Sequence, residues 1–287
     1  MERLTVQRIL GGIWLLDGIL QFRPKMFSEG FLIADVKPLL AGQPLWFSHV
    51  LAWEMQVMSH PEWAFNLMIA VIQTLFGLLL LTNRYSRTAL LSSMAWATAV
   101  WVFGEGLGGL LFGSWSLVVG APGAAALYAL MAVVVWPPRE PRRTWNRVAA
   151  PLSLGVLALG GILTIVGIGQ NAKMVLGLSA HSSGEIVACA TFIAVGLALL
   201  VSWRLRWLGA SMLAALAMVA WIFLQHGGSI WVAYATDINS GGLWVLVAVG
   251  LALMSREEMQ RRRSHRQPPV SSRMSPVLDR VHQHRAG

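Results

Sequence analysis

Acidic residues are scarce in this chain: 13 aspartates and glutamates stand against 22 lysines and arginines in 287 residues, and charged residues make up only 12%. A soluble domain carries about twice that charge fraction. With 56% hydrophobic residues and a mean hydropathy of +0.60, the composition is that of a membrane protein. Cysteine is scarcer still. Cys189 stands alone, which excludes an intrachain disulfide, a C-x-x-C redox pair, an iron–sulfur cluster and cysteine-ligated zinc. In its apolar stretch it reads as a small buried hydrophobe. The sequence also lacks H-E-x-x-H, G-x-S-x-G, a Walker A lysine and any paired-carboxylate motif, so catalysis by this chain alone is not expected. No covalent cofactor is expected either, because His226 is the one histidine inside an apolar stretch and haem needs facing axial ligands.

What the chain does have is apolar length. Stretches at 5–23, 64–82, 89–112, 119–136, 149–168, 185–202, 207–231 and 239–255 each approach the ~20 residues that cross a bilayer. The first carries Asp17 at its centre and has no cleavage site, so it reads as a retained helix rather than a signal peptide. Between the stretches, Lys and Arg alternate. Arg3 and Arg8, Arg84 and Arg87, Arg139 to Arg147, Arg204 and Arg206, and the tail fall on one side; Arg23, Lys25, Lys37 and Lys173 fall on the other. The positive-inside rule then predicts a multi-pass cell-membrane protein with both termini cytoplasmic. Trp136, Trp145, Trp203 and Trp207 near the inner boundary and Trp46, Trp53, Trp63, Trp115 and Trp231 near the outer one form interfacial belts. The net charge of +9 thus records topology, not nucleic-acid binding. The basic, proline-containing tail at 256–287 is expected to be disordered and to favour anionic lipid headgroups.

An ungapped offset of 120 places Arg84 on Arg204, Trp101 on Trp221, Phe103 on Phe223, Gly108 on Gly228 and Ala121-Pro122 on Gly241-Gly242. The expected fold class is therefore all-α: eight transmembrane helices as two tandem, parallel four-helix units, 1–138 and 139–255. The insertion 24–63 in the first unit is too polar to span, and its PLWFSHVLAWEMQVMSHPEW reads as an amphipathic outer helix.

A first helix opening R-x-x-x-G, here RILGGIWLLDGILQF before Pro24, and a second helix IQTLFGLLLLTNRYSR resemble the DoxX-like integral membrane proteins, the first half more than the second. The resemblance implies four-helix membrane bundles, some associated with redox complexes such as thiosulfate-to-quinone electron transfer. That makes quinone a candidate ligand and redox-complex subunits candidate partners beside the lipid bilayer. It carries over no catalytic residue.

Ionisable groups within apolar stretches are expensive and face a protein interior or a wet cavity. Asp17 and Glu105 are the acids that qualify; Gln21, Gln73, Gln225 and His226 are polar companions. The offset pairs Glu105 with Gln225, beside His226, so these three lead the candidate ligand- or proton-binding site, with Asp17 and Gln73 behind them. The same Glu has a structural reading, as a hydrogen-bonded pin between close-packed helices. Around it GEGLGG at 104–109 satisfies the dinucleotide pattern G-x-G-x-x-G, but without the strand that pattern requires. Gly104-x-x-x-Gly108 and Gly109-x-x-x-Gly113 read instead as small-residue helix-packing faces. His49, Met55, Met58, His60 and His181 gather on the outer side, where imidazole and thioether suit copper, in no recognised ligand spacing. The functional classes left open are a redox-associated subunit, a small-solute or proton-coupled transporter, and a structural accessory protein.

Overall fold

The computed structural model describes residues 3–28, 30–112, 121–137, 143–176 and 183–264, and they are all-helical, with no strand among them. Among the described residues nine α-helices follow in order: α1 Arg3–Gln21, α2 Leu45–Met58, α3 Glu62–Leu81, α4 Ser86–Phe103, α5 Ala124–Val134, α6 Arg143–Leu176, α7 Ser183–Val201, α8 Arg206–Val219 and α9 Asn239–Ser264. All but α2 coincide with an apolar stretch of the sequence, and α2 is the amphipathic outer segment.

Among the described residues, four helical segments are long and apolar enough to cross a membrane: Glu62–Leu81, Val148–Gly169, Arg206–Leu224 and Asn239–Gln260. Others fall short in length or in apolar character. At 1.5 Å per residue the 11 residues of α5 rise only about 16 Å. The 18 residues of α4 include five serines and threonines and an arginine. On α3, Leu67, Val71, Leu75 and Leu78 form an exposed apolar stripe at helical spacing, a surface suited to lipid.

The opposite face of α3 packs on α1, and it does so through glycine. A side chain on Gly11, Gly18 or Gly77 would meet the partner helix's backbone within 3 Å, so the two helices touch main chain to main chain. The core then runs from Trp14, Leu80 and Leu127 through Leu157, Ile193 and Leu213 to Leu243 and Leu251. Trp244 on α9 donates its indole N–H to the carbonyl of Ala121 at 3.1 Å, tying α9 to the start of α5.

Two expectations change. The packing glycines lie in α1, α3, α7 and α8, where Gly209 abuts the backbone of Gly196. Gly104-x-x-x-Gly108 and Gly109-x-x-x-Gly113 are not a helix face: α4 stops at Phe103, and Leu107, Gly108 and Gly109 carry φ of +60°, +58° and +80°. Gly113 lies outside the described residues. The tail, expected to be irregular from Arg256, instead extends α9 to Ser264. There Glu258 and Arg262 pair at 2.6 Å one turn apart, and Arg262 covers the Trp203 ring; residues 265–287 are not described.

Candidate functional site

Why does α4 end where it does? At Gly108 an added Cβ would collide with the carbonyl of Pro122, and the positive φ is one that glycine accepts at no steric cost. The chain turns under α5. Trp101 clamps this turn by donating its indole N–H to Pro122 O at 2.6 Å. The Glu105 N–H reaches back to Val100 O at 2.9 Å, and Gly108 N–H donates to Glu105 O at 2.9 Å. The Glu105 side chain then lies at the N-terminus of α5, where Oε1 accepts the Ala125 N–H at 2.9 Å, a favourable place for an acid. Oε2 is buried and has no protein partner.

The turn after α8 repeats the pattern atom for atom. Trp221 donates to Ile238 O at 2.7 Å, Gln225 N–H to Ala220 O at 3.0 Å, Gly228 N–H to Gln225 O at 2.9 Å, and Gly241 N–H to Gln225 Oε1 at 2.9 Å. Pro122 therefore corresponds to Ile238 and Ala125 to Gly241. The offset of 120 shrinks to 116 beyond the turn, so the pairing of Ala121-Pro122 with Gly241-Gly242 is corrected by four residues, one helical turn that an ungapped comparison cannot register. The two side chains differ at their second atom. Gln225 Nε2 lies 3.5 Å from Ser240 Oγ, while Ala124 takes the serine's place in the first turn and leaves Glu105 Oε2 buried against Gly123 without a hydrogen-bond partner.

Glu105 also lines a cavity of about 220 Å³ reaching inward to Asp17 on α1 and Gln73 on α3, beside a wider cleft of about 520 Å³ formed by the 228–239 loop; Glu105 and Asp237 line both. The sequence-predicted Asp17, Gln73 and Glu105 thus converge. Gln225 and His226 do not join them: neither lines either cavity, and His226 is exposed at φ +49°. Gln225 sits in its own turn instead.

Asp17, 1% exposed, accepts a hydrogen bond from the Tyr128 hydroxyl through Oδ2. Trp14 packs edge-on to Phe76 and 4.4 Å from the Tyr128 ring, which fixes this floor. Sequence reading overlooked Asp237, Glu54 and Tyr128. Asp237 lies in a loop, where acids attract no notice; Oδ1 caps Asn239 N–H at 2.5 Å and Oδ2 accepts from Thr236 at 2.9 Å. Its T-D-I-N-S context before an apolar run was a legible helix-start signal. Burial pushes its carboxyl above the usual range, against the pull of those two bonds. Glu54 comes from the outer helix α2.

The outer segment reaches this site because it is tied across the molecule. Arg23, beyond α1, donates to Val232 O and Ile230 O at 2.7 and 2.5 Å. Met26, Phe31, Leu32, Val36, Met58 and Ile69 form a small core beneath α2. This separates the candidate metal ligands. Met58 is buried and Met55 packs on that core, whereas His49 and His60 are exposed and His60 Nδ1 pairs with Ser59 Oγ at 2.6 Å. His181 lies outside the described residues, and among those described no three His, Cys, Asp or Glu side chains gather closely enough for a metal.

Burial pushes the Glu54 carboxyl up to about 7. A carboxyl raised in the folded state stabilises fully below its unfolded value of 4.5 and loses that contribution as pH rises through about 7; Asp237 acts in the same direction. The detergent-solubilised protein should therefore melt higher at about pH 5.5 than at about pH 8, with Glu54→Gln shrinking the difference. An unchanged difference in that variant would remove Glu54 from the pH response.

No family model, no curated protein and no solved structure matches the chain.

Proposed function

We propose that this chain is a DoxX-like cell-membrane protein that binds a small solute from the outer side, with proton coupling through Glu105. The eight apolar helices act as spans in two tandem four-helix units, and the matched turns at Glu105 and Gln225 support that division. Arg3 on α1, reaching Val135 O at 2.9 Å, and Gln7, paired with Asn83 at 3.0 Å, bring the starts of α1 and α4 and the end of α5 together beside Arg84 and Arg87. This basic end faces the cytoplasm. Exposed Trp46, Trp53, Trp63 and Trp231 mark the opposite boundary, where the acidic cavity lies.

The observation that carries this reading is the split role of Glu105. One oxygen caps α5, the other is buried without a partner on a residue that lines both cavity and cleft, and its counterpart Gln225 shows that the turn folds around a neutral side chain. A purely structural pin would need only the first bond. In vesicles containing the purified protein and a lumenal pH dye, an outer acid pulse should enter at a rate that Glu105→Gln lowers by at least about tenfold. Equal rates for both proteins across a pH series would sink the role of Glu105.

A second reading, a quinone-binding subunit of a redox complex, is favoured by one feature. The buried indole N–H groups of Trp14 and Trp96 line the cavity without protein acceptors and would suit quinone carbonyls. That protein should copurify with an electron-transfer partner.

A further inference from the structure

We infer that the cavity selects a small organic monocation, a primary ammonium group carried on an aromatic or alkyl body. This rests on the solute-binding reading and names the class of solute. Four carboxyl side chains, Asp17, Glu54, Glu105 and Asp237, line the 220 Å³ cavity, and among the described residues no Lys, Arg or His side chain does. Arg23, at the outer end of α1, is engaged by two backbone carbonyls.

Acids alone would not define a site, but the other buried groups point the same way. Gln21 and Gln73, 2% and 6% exposed, each have a side-chain oxygen without a protein partner, as do Asp17, Glu54 and Glu105. Five unpartnered oxygens thus outnumber the two unpartnered indole N–H groups. Leaving such acceptors dry is costly, and a ligand that donates several hydrogen bonds satisfies them together. An ammonium group has three donors and a positive charge.

The acids are dispersed, with no cluster that could hold a metal, which disfavours a divalent ion in favour of a bulkier cation. Six aromatic residues, Trp14, Phe31, Phe65, Trp96, Phe103 and Tyr128, share the remaining wall with aliphatic ones. Ring faces attract cations, most strongly where water is displaced, and they cover the apolar body of an amine. A quinone, which only accepts hydrogen bonds, would meet mostly acceptors. Asp237 and Glu105, shared by cavity and cleft, would receive the cation first.

The test is calorimetric titration of the full chain in detergent with phenethylammonium, its neutral isostere 2-phenylethanol and decylubiquinone. Phenethylammonium should bind at least about tenfold more tightly than the alcohol, and Glu105→Gln and Asp237→Asn should each weaken it by about tenfold while leaving the alcohol unaffected. Equal affinity for amine and alcohol, amine affinity unchanged in both variants, or tight binding of decylubiquinone alone would each overturn the assignment. Vesicle measurements separate this failure from the broader one. If Glu105→Gln still abolishes proton flux while the amine fails to bind, the substrate class is wrong and the pocket reading stands. If neither response is seen, both fall.

Discussion

Gly77→Val is expected to leave little folded protein. A Cβ at Gly77 would lie 2.6 Å from Leu15 N and 2.7 Å from Leu15 Cα, and the reciprocal contacts from Gly18 and Gly11 reach the backbone of Thr74 and Leu81 at 2.7 and 2.8 Å. These obstacles are main chain, so they cannot rotate away as a flexible side chain could. Separating α1 from α3 would loosen the crossing that carries Asp17 against Gln73. Overpacking against main chain falls at the upper end of the usual range of about 1–3 kcal/mol, a large part of a typical stability of about 5–15 kcal/mol. Gly12→Val is the matched control, because an added Cβ there meets nothing within 4 Å. Size-exclusion yield and melting temperature in detergent check the pair. Equal behaviour of the two variants would mean that the α1–α3 contact is not made through Gly77.

Asp17 should separate stability from binding. Asp17→Leu leaves the buried Tyr128 hydroxyl without its acceptor and should cost about 1–3 kcal/mol for that unmet group. Asp17→Asn keeps an oxygen able to accept from Tyr128, so its melting temperature should remain near the parent's. The ionisable carboxyl at the cavity floor is lost in both. Phenethylammonium affinity is therefore expected to fall by at least about tenfold in both variants, although only the leucine variant is strongly destabilised. If Asp17→Asn binds the amine normally, the floor carboxylate plays no part in recognition and the cation is read at Glu105 and Asp237 alone. If it melts as low as Asp17→Leu, its side chain has failed to replace the acceptor.

Much of the helical framework was visible along the chain. Each apolar stretch became a helix, and the outer segment became α2, because apolar length and 3.6-residue periodicity are local properties. The site was visible only in part. Asp17, Gln73 and Glu105 drew notice as polar groups in apolar surroundings, which is a statement about cost. Asp237 and Glu54 drew none, since an acid in a loop or on an amphipathic helix costs nothing until the rest of the fold buries it. His226 follows Gln225 in sequence but stands apart from the cavity, exposed at a positive φ in the second turn.

GEGLGG shows the division most clearly. Composition and the lack of a preceding strand were enough to dismiss a nucleotide cradle, and the spacing of its glycines still suggested a continuous helix face. The tertiary structure made it a turn, because Pro122 O occupies the volume a Cβ on Gly108 would need and Trp101 holds that carbonyl in place. The sequence by itself determined an all-helical, apolar chain with a basic side and a few costly acids. Only the tertiary structure decided that Asp17 and Glu105 meet two further acids, Glu54 and Asp237, since residues as far apart as Asp17 and Asp237 are brought to one cavity by glycine-mediated helix contact and by Arg23 holding the 230–232 loop at the end of α1.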